Sequence, residues 1–373
     1  MNWHIHIQGQ VQGVGFRPFV YALAQRHALN GWVNNTNDGV HIELNAERTA
    51  AQAFLDEIVA HPPRLAQITS TTIVEVDHRA FADFRIIHSD ASEEVNLALT
   101  PDFALCEQCR EDVHHPESRR QNYAFTSCTD CGPRYSIIRT LPYDRPTTTM
   151  DALPLCGTCQ AEYDAPADRR YLAQTNYCPE CSINLQLYDA SGTLLSEQQK
   201  DVLERIPQLW QEGKIVAIKG IGGYLLTCDA SYAAVVAKLR QRKHRPSKPF
   251  AVMFPNLDQM AQVVELDEQE KALLQSPTAP IVLARIKPEQ QTALSVDLLA
   301  PKLNRLGVML PYAPLYEILL ATYGQAIVAT SANVSGSPIV FQDDSALEDL
   351  AGIADYVLAN DREIVIPQDD SVV

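Results

Sequence analysis

Over the first ~90 residues the apolar positions switch repeatedly between a period of two and a period near 3.6, so strands and helices alternate there. Trp3 to Gln8 alternates like a strand, and Pro18 to Ala28 puts Phe19, Leu23 and Ala24 on one helical face. Gly31 to Leu44 reads as two strands joined by the turn Asn37-Asp38-Gly39. Ala50 to Ala60 is an amphipathic helix, and Ser70 to Val76 and Phe84 to His88 close with strands. This βαββαβ order predicts a ferredoxin-like sandwich over residues 1–90. A polar stretch, Ser89 to Pro101, follows, and the linker is placed at 91–104.

The periodicity is lost from Cys106 to Cys181, where Cys, Pro, Arg and Tyr replace regularly spaced apolar residues. An internal repeat with an offset of fifty positions takes over. Cys106, Cys109, Pro116, Arg119, Arg120, Cys128 and Cys131 recur as Cys156, Cys159, Pro166, Arg169, Arg170, Cys178 and Cys181. A duplicated module over 105–187 is expected. The α/β pattern returns over 188–373. Ile215 to Lys219 is an apolar strand ending in Gly220-Ile221-Gly222-Gly223, and Tyr232 to Arg242 is helical. Phe250 to Phe254, Ile281 to Ala284, Val308 to Leu310 and Ile327 to Thr330 are short buried strands. The last residues, Asp369-Asp370-Ser371-Val372-Val373, read as strand, an ending expected of a fragment. The fold class is therefore α+β and multidomain.

Composition narrows the function classes. The chain has 373 residues, 46% of them hydrophobic, and a formal net charge of −16. No segment approaches the ~20 apolar residues of a membrane helix, and the N-terminus lacks a signal-peptide pattern. A cytoplasmic protein without a membrane partner is expected. The acidic balance gives no overall attraction to nucleic acid, so that partner is not expected. Eight of the nine cysteines lie in four Cys-x-x-Cys pairs, which under reducing conditions points to metal rather than disulfides.

The spacing Cys-x2-Cys-x18-Cys-x2-Cys occurs twice, separated by 24 residues. Four thiolates complete a tetrahedral zinc site with no open position, so two structural zinc ions are expected. The simplest grouping follows the repeat: Cys106, Cys109, Cys128 and Cys131 around one ion, and Cys156, Cys159, Cys178 and Cys181 around the other. An interleaved pairing stays open, as does RNA binding by Arg119, Arg120, Arg169 and Arg170. Cys228 follows an apolar strand and reads as a buried hydrophobe.

Gln10-Val11-Gln12-Gly13-Val14-Gly15 leaves the first strand and enters the first helix, with Arg17 in its first turn. Successive backbone N–H groups there, the helix dipole and a guanidinium can hold a phosphate, although a plain tight turn has the same composition. Together with Gly31-Trp32-Val33-Asn34-Asn35, the loop resembles acylphosphatase over about residues 3–90. The resemblance implies that Arg17 binds the phosphoryl group and Asn35 orients the attacking water. Asn34 is expected on the other side of its strand, facing solvent.

A second cationic cluster comprises Arg240, Arg242, Lys243, His244, Arg245 and Lys248, stiffened by Pro246 and Pro249. A solvated charge run is the ordinary reading of such a cluster; the prolines and the strand that follows favour a phosphate site. With Ser331-Ala332-Asn333-Val334-Ser335-Gly336 it resembles the YrdC-like family over about residues 197–373. That resemblance implies nucleotide and substrate contacts from Lys243, Arg245, Ser331 and Asn333, with Lys248 and Ser371 mapped by position, and ATP with Mg²⁺ as substrate.

The three parts, in this order, resemble the HypF family of hydrogenase maturation carbamoyltransferases, as do Gly-Phe-Arg-Pro-Phe-Val, Cys-Gly-Pro-Arg, Leu-Pro-Tyr-Asp-Arg-Pro and Asp-Asp-Ser-Val-Val. The resemblance implies hydrolysis of carbamoyl phosphate, ATP-dependent formation of carbamoyl adenylate, and HypE as the protein whose C-terminal cysteine receives the carbamoyl group. The family's transfer domain has no counterpart in this sequence, so the transfer step is not expected of it alone. Leu172, Leu225 and Pro367 stand where the family carries His, His and Arg, and these departures are expected near the nucleotide site. A plain acylphosphatase with inert appendages, an RNA-binding YrdC-type protein and a scaffold without catalysis are the alternatives.

Overall fold

The computed structural model describes residues 1–89, 97–288, 293–333 and 336–373. Residues 91–96 of the linker, and Val334 and Ser335 of the Ser-x-Asn-x-Ser-Gly motif, lie outside the described residues. The chain divides into two compact units, residues 1–102 with 127–177 and residues 103–126 with 178–373. The cysteine-bearing stretch thus contributes to both.

The first unit opens with β1 (Asn2–Gln10), α1 (Phe16–Arg26), β2 (Asn30–Thr36), β3 (Gly39–Asn45), α2 (Arg48–Ala60), β4 (Gln67–Val76) and β5 (Phe84–Ile86). The sheet order is β4-β1-β3-β2-β5, antiparallel except for the β2–β5 pair. This is the expected βαββαβ arrangement followed by a fifth strand, β5, beside β2. Alternation decides which side is the core: Trp3, Ile5 and Ile7 of β1 and Val40, Ile42 and Leu44 of β3 are buried, with Phe16, Val20, Leu23, Phe54 and Ile58 from the helices. Each such side chain contributes about 1.5–3 kcal/mol of transfer free energy. Helix α1 begins two residues before the expected Pro18, because a first-turn proline lacks only an N–H that would have no helical partner. Strand β4 begins at Gln67 rather than Ser70, since β1 continues past an irregularity at Gln8/Gly9 and pairs Gly9 with Ile68 and Gln10 with Gln67.

Residues 127–177 have little regular structure beyond three short 3₁₀ turns and the helix Gly157–Asp164. Charged fasteners stand in for a core. Arg145 donates to the carbonyl oxygens of Gln174 and Leu153 and lies 4.9 Å from the Tyr177 ring centre. Arg134 donates to the carbonyls of Cys128, Thr129, Cys131 and Pro133.

The second unit is built on a ten-stranded sheet. Its central strands carry the site: β8 (Val216–Lys219), β9 (Tyr224–Asp229), β10 (Ala251–Met253) and β14 (Ile327–Ser331), where β6 (Leu185–Asp189), β7 (Leu194–Ser196), β11 (Val264–Glu265), β12 (Val282–Ile286), β13 (Arg305–Met309) and β15 (Tyr356–Asn360) complete the order β11-β12-β13-β10-β14-β9-β8-β15-β6-β7. All four residues of β8 are buried: Val216, Ala217 and Ile218 form an apolar run, and Lys219 is paired with Asp343 and donates to Asn360 O at 2.9 Å. Trp210, buried on the helix Gln199–Gln211, donates its indole N–H to Thr227 Oγ1 at 3.0 Å. Cys228 is fully buried, and burial pushes its thiol pKa up, so it behaves as the expected hydrophobe. The terminal segment lies alongside Ile281–Leu283: Ile281 N–H donates to Ser371 O at 2.8 Å and Leu283 N–H to Val373 O at 2.8 Å. That pairing is one isolated bridge, not the full strand expected.

Gly9 has φ +124, and a Cβ there would stand 2.0 Å from the Gln67 carbonyl oxygen. Gly9→Ala is expected to destabilise the first unit by at least about 2 kcal/mol, read as a lower urea midpoint. An unchanged midpoint would contradict the β1–β4 register.

Candidate functional site

The first site forms where β1 turns into α1. Gly13 and Gly15 both take left-handed conformations, φ +71 and +72. Among the described residues, the backbone amides from Gln12 to Arg17 have no protein acceptor, whereas Val11 N–H is already bonded to Gly9 O at 3.1 Å. Six successive amides leading into the positive end of an eleven-residue helix are therefore left for an anion. Of the expected loop residues, Gln10 and Val11 lie outside this set. Val14 is buried, and the Gln12 side chain is turned inward as an internal fastener: its Nε2 donates to Thr36 O (2.7 Å) and Gly39 O (2.9 Å), and its Oε1 accepts from Tyr143 N–H (3.0 Å).

Arg17 is nearly buried and donates from Nη2 to Asp144 Oδ1 at 2.5 Å and from Nη1 to Ser89 Oγ at 3.3 Å. Asn35 is 1% exposed, and its Oδ1 has no hydrogen-bond partner. A buried acceptor without a donor is costly, so this oxygen is suited to a water or substrate proton. Arg17 and Asn35 line one small cavity of about 20 Å³ with Gln12, Gly13 and Gly15. Asn34 faces the other side of β2, as expected, but is 7% exposed rather than solvated, because that face of the strand is also covered.

Sequence reasoning missed the other wall. Thr129, Arg134, Tyr143, Leu172 and Gln174, all from the cysteine-bearing stretch of the same unit, line the cavity. Arg134 Nε donates to Gly13 O at 2.5 Å, tying the loop to the first cysteine module. The family-like phrase Leu-Pro-Tyr-Asp-Arg-Pro around Asp144 was the available signal, since a carboxylate between Tyr and Arg in a core-poor segment needs a cation. Leu172 was expected near a nucleotide; it lines this phosphate-type cavity instead, in a left-handed conformation with φ +54.

The cysteines gather by repeat. One ligand atom from each of Cys106, Cys109, Cys128 and Cys131 lies within 4.8 Å of the others, and likewise for Cys156, Cys159, Cys178 and Cys181. The Cys128–Cys131 and Cys178–Cys181 sulfurs are 3.8 and 3.9 Å apart. Two thiolates about 2.3 Å from one tetrahedral ion stand roughly 3.8 Å apart, so the sulfur spacing fits zinc. Cys106 and Cys156 cap eight-residue helices, and amide N–H groups of Asp130 and Cys159 point at Cys128 and Cys156 sulfurs. Arg120 and Arg170, two of the four arginines considered for RNA, are buried.

In the second unit the cationic run separates into different tasks. Arg240 is structural, donating to the carbonyls of Leu298, Arg245 and Lys248 with its guanidinium 4.5 Å from the Phe250 ring centre. Arg242 pairs with Asp355 at 2.8 Å. Lys243 is fully buried; its Nζ donates to Ser331 O (2.5 Å), Asn333 O (2.7 Å) and Asn333 Oδ1 (2.5 Å), and burial pulls its pKa down to about 7. It pins the loop after β14 and brings Ser331 and Asn333 together with it. Lys248 and Ser371 are exposed. Arg245 and Ser331 line a cavity of about 340 Å³ with Thr330, Asp369 and Asp370, and Arg245 Nε is buried without a partner. Burial, then the neighbouring Asp369, pushes the Asp370 carboxyl up to about 6. Asp369 and Asp370 were quoted in the sequence only as a phrase; their neighbour Ser371 drew the assignment. Leu225 pairs with Ser331 across β9 and β14, while Gln368, next to Pro367, hydrogen-bonds Gly222 O at 2.9 Å. Among the described residues no helix is long and apolar enough to cross a membrane.

Comparison with known families divides the chain the same way chemically. Residues 3–86 match the acylphosphatase family, 105–138 and 155–188 the HypF finger, and 208–373 the family described as telomere recombination, which groups Sua5, YciO and YrdC. The chain is 42% identical to carbamoyltransferase HypF of Rhodobacter capsulatus over 100% of its own length and 48% of that protein. It is 40% identical to a probable carbamoyltransferase HypF of Methanocaldococcus jannaschii, again over 100% of this chain and 48% of the relative. A crystal structure of full-length HypF in a phosphate- and nucleotide-bound form superposes with a TM-score of 0.93 at 41% identity, covering 100% of this chain and 48% of that one. The chain thus spans about half the length of the relatives it matches.

Grouping by repeat has a measurable consequence. The double variant Cys106→Ser, Cys131→Ser is expected to retain one zinc ion per chain where the parent holds two, because both ligands serve the same cluster. Loss of both ions on elemental analysis would establish the interleaved pairing instead.

Proposed function

The chain belongs to the HypF carbamoyltransferase family, and on that premise we propose that it cleaves carbamoyl phosphate at the first site and adenylates the released carbamate at the second. The observation that carries the reading is the set of six amides from Gln12 to Arg17 and the Asn35 Oδ1, all without a protein partner among the described residues. An acyl phosphate is a reactive anhydride, so charge neutralisation and a positioned water suffice, and no side-chain nucleophile is needed.

In this reading the amides and the Arg17 guanidinium receive the phosphoryl oxygens. Asp144, bonded to Arg17 Nη2, and Ser89 Oγ, bonded to Nη1, fix the plane of the guanidinium and leave Nε and the second N–H of Nη1 for phosphate. Asn35 Oδ1 accepts a hydrogen bond from water, whose oxygen attacks phosphorus. The P–O bond to the carbamoyl group breaks, and carbamate leaves with the bridging oxygen as the water proton passes to solvent.

At the second site a carbamate oxygen attacks the α-phosphorus of ATP and pyrophosphate leaves, forming carbamoyl adenylate. Arg245 offsets charge on the phosphates, Ser331 and Asn333 contact nucleotide or substrate, and Lys243 positions both by holding their loop. Lys248 and Ser371, both exposed, are the outermost contacts proposed. Asp369 and Asp370 would hold the Mg²⁺ that accompanies ATP; a hard cation prefers such oxygen ligands. HypE is the proposed acceptor of the carbamoyl group, through the terminal cysteine the family uses. The zinc clusters are proposed to be structural, with no open coordination position.

Pyrophosphate exchange tests the scheme. With ATP, labelled pyrophosphate and carbamoyl phosphate, Arg17→Ala and Lys243→Ala are each expected to lower exchange by roughly 10²–10³-fold. Undiminished exchange in Arg17→Ala would refute the two-site sequence. The Asp370 proton supplies a second test. Its folded pKa is raised to about 6, so the carboxylate forms as pH rises through that value. Mg²⁺-ATP affinity is expected to strengthen from pH 5 to pH 7 and to lose that dependence in Asp370→Asn, measured by calorimetry.

A further inference from the structure

The sheet of the first unit has a face turned away from α1 and α2, and it carries a cluster that the reactions above do not use. Alternation along β1 and β3 puts His4, His6 and His41 on that face, opposite Ile5, Ile7 and Ile42. The register places His6 directly across from His41, and their rings stack with centroids 4.1 Å apart and planes 19° from parallel. Stacking directs both Nε2 atoms at one carboxylate: His41 Nε2 lies 2.9 Å from Asp38 Oδ1, and His6 Nε2 lies 3.2 Å from Asp38 Oδ2. Asp38 sits in the β2–β3 turn, where the Thr36 hydroxyl donates to it. His4 Nε2 lies 2.9 Å from His41 Nδ1.

We propose that His6, Asp38 and His41 form a binding site for one divalent first-row transition ion of zinc's class, with His4 positioning His41. One ligand atom from each of the three lies within 4.8 Å of the others. Nitrogen and oxygen donors about 2.0–2.2 Å from a tetrahedral ion stand roughly 3.3 Å apart, and both nitrogen–oxygen separations are already near that value. Two imidazoles and a carboxylate are a donor set that prefers zinc, cobalt, nickel or copper to magnesium or calcium. The side chains are 17%, 18% and 13% exposed for His6, Asp38 and His41, so an ion has a path in.

The proton arithmetic closes without a co-reactant. Without metal, each Nε2–H donates to Asp38, and His41 Nδ1 accepts from His4 Nε2–H. On binding, each ligating ring presents an Nε2 lone pair and carries its proton on Nδ1. His41 Nδ1–H then donates to His4, the outer hydrogen bond that metal-bound histidines use to fix ring orientation. The ion would clasp β1 to the hairpin turn, three residues beyond Asn35. Gln12 already bonds Thr36 O and Gly39 O on that turn, so the clasp would also steady the strand presenting Asn35.

The probe is Co²⁺ added to the full chain with both four-cysteine clusters filled with zinc. The parent is expected to bind one further equivalent, giving visible d–d bands without the near-ultraviolet thiolate charge-transfer band. His6→Ala and His41→Ala should abolish these bands, and His4→Ala should weaken binding roughly 10- to 100-fold, the range of outer-shell losses. Zinc content and circular dichroism report whether each variant is folded; Asp38→Asn, nearly isosteric, decides the matter if either alanine variant is not. Absence of the additional equivalent in the parent, or undiminished binding in folded His6→Ala or Asp38→Asn, would overturn the assignment and leave a metal-free histidine–aspartate network.

Discussion

A chain that passes from strand to helix through left-handed residues can aim successive backbone amides into the turn, where they form a concavity for an anion. Here Gly13 and Gly15 make that turn, and the amides from Gln12 to Arg17 have no protein acceptor among the described residues. Side chains at these positions would be strained: both φ values are left-handed, and a Cβ would also crowd Arg134 Cδ at 3.0 Å from Gly13 and Thr129 Cβ at 3.2 Å from Gly15. The same geometry that creates the anion cradle therefore requires close support from the segment around Thr129 and Arg134. The cradle, its guanidinium and its wall form one interlocked construction.

That construction explains why so many arginines are spent on carbonyl oxygens. The stretch 127–177 has too few apolar side chains to bury, so Arg134 and Arg145 satisfy clusters of backbone acceptors that a core would otherwise have to exclude or pair. Zinc in the two four-cysteine clusters would complete the framework, because zinc–thiolate bonds supply folding free energy that so little apolar burial cannot. Lys243 applies the same economy in the second unit. A fully buried ammonium is tolerable there because three oxygens of the loop after β14 receive it, and the loop is thereby fixed beside Arg245.

Much of this was legible in the sequence for identifiable reasons. The period-two runs of β1 and β3 and the helical face of Phe19, Leu23 and Ala24 define a sheet with one buried face, and the structure has it. The fifty-residue repeat carries its cysteine grouping with it. What was not legible depends on contacts between distant residues. Nothing local to Asp144 says that it meets Arg17, 127 positions away. Counting cations in the run from Arg240 to Lys248 could not separate Arg240, fastened to carbonyls, from Arg245, which faces a cavity. Leu172 was assigned to the wrong neighbourhood for the same reason. A departure from a family pattern names a position, and only the fold says which site that position lines.

The central claim is that the loop amides are the anion receptor, and backbone nuclear magnetic resonance reads them directly. Titrating the zinc-loaded chain with inorganic phosphate should move the amide resonances of Gln12 to Arg17 together and saturably, and Arg17→Ala should suppress the movement. Resonances that stay fixed in the parent while phosphate binds elsewhere would contradict the account.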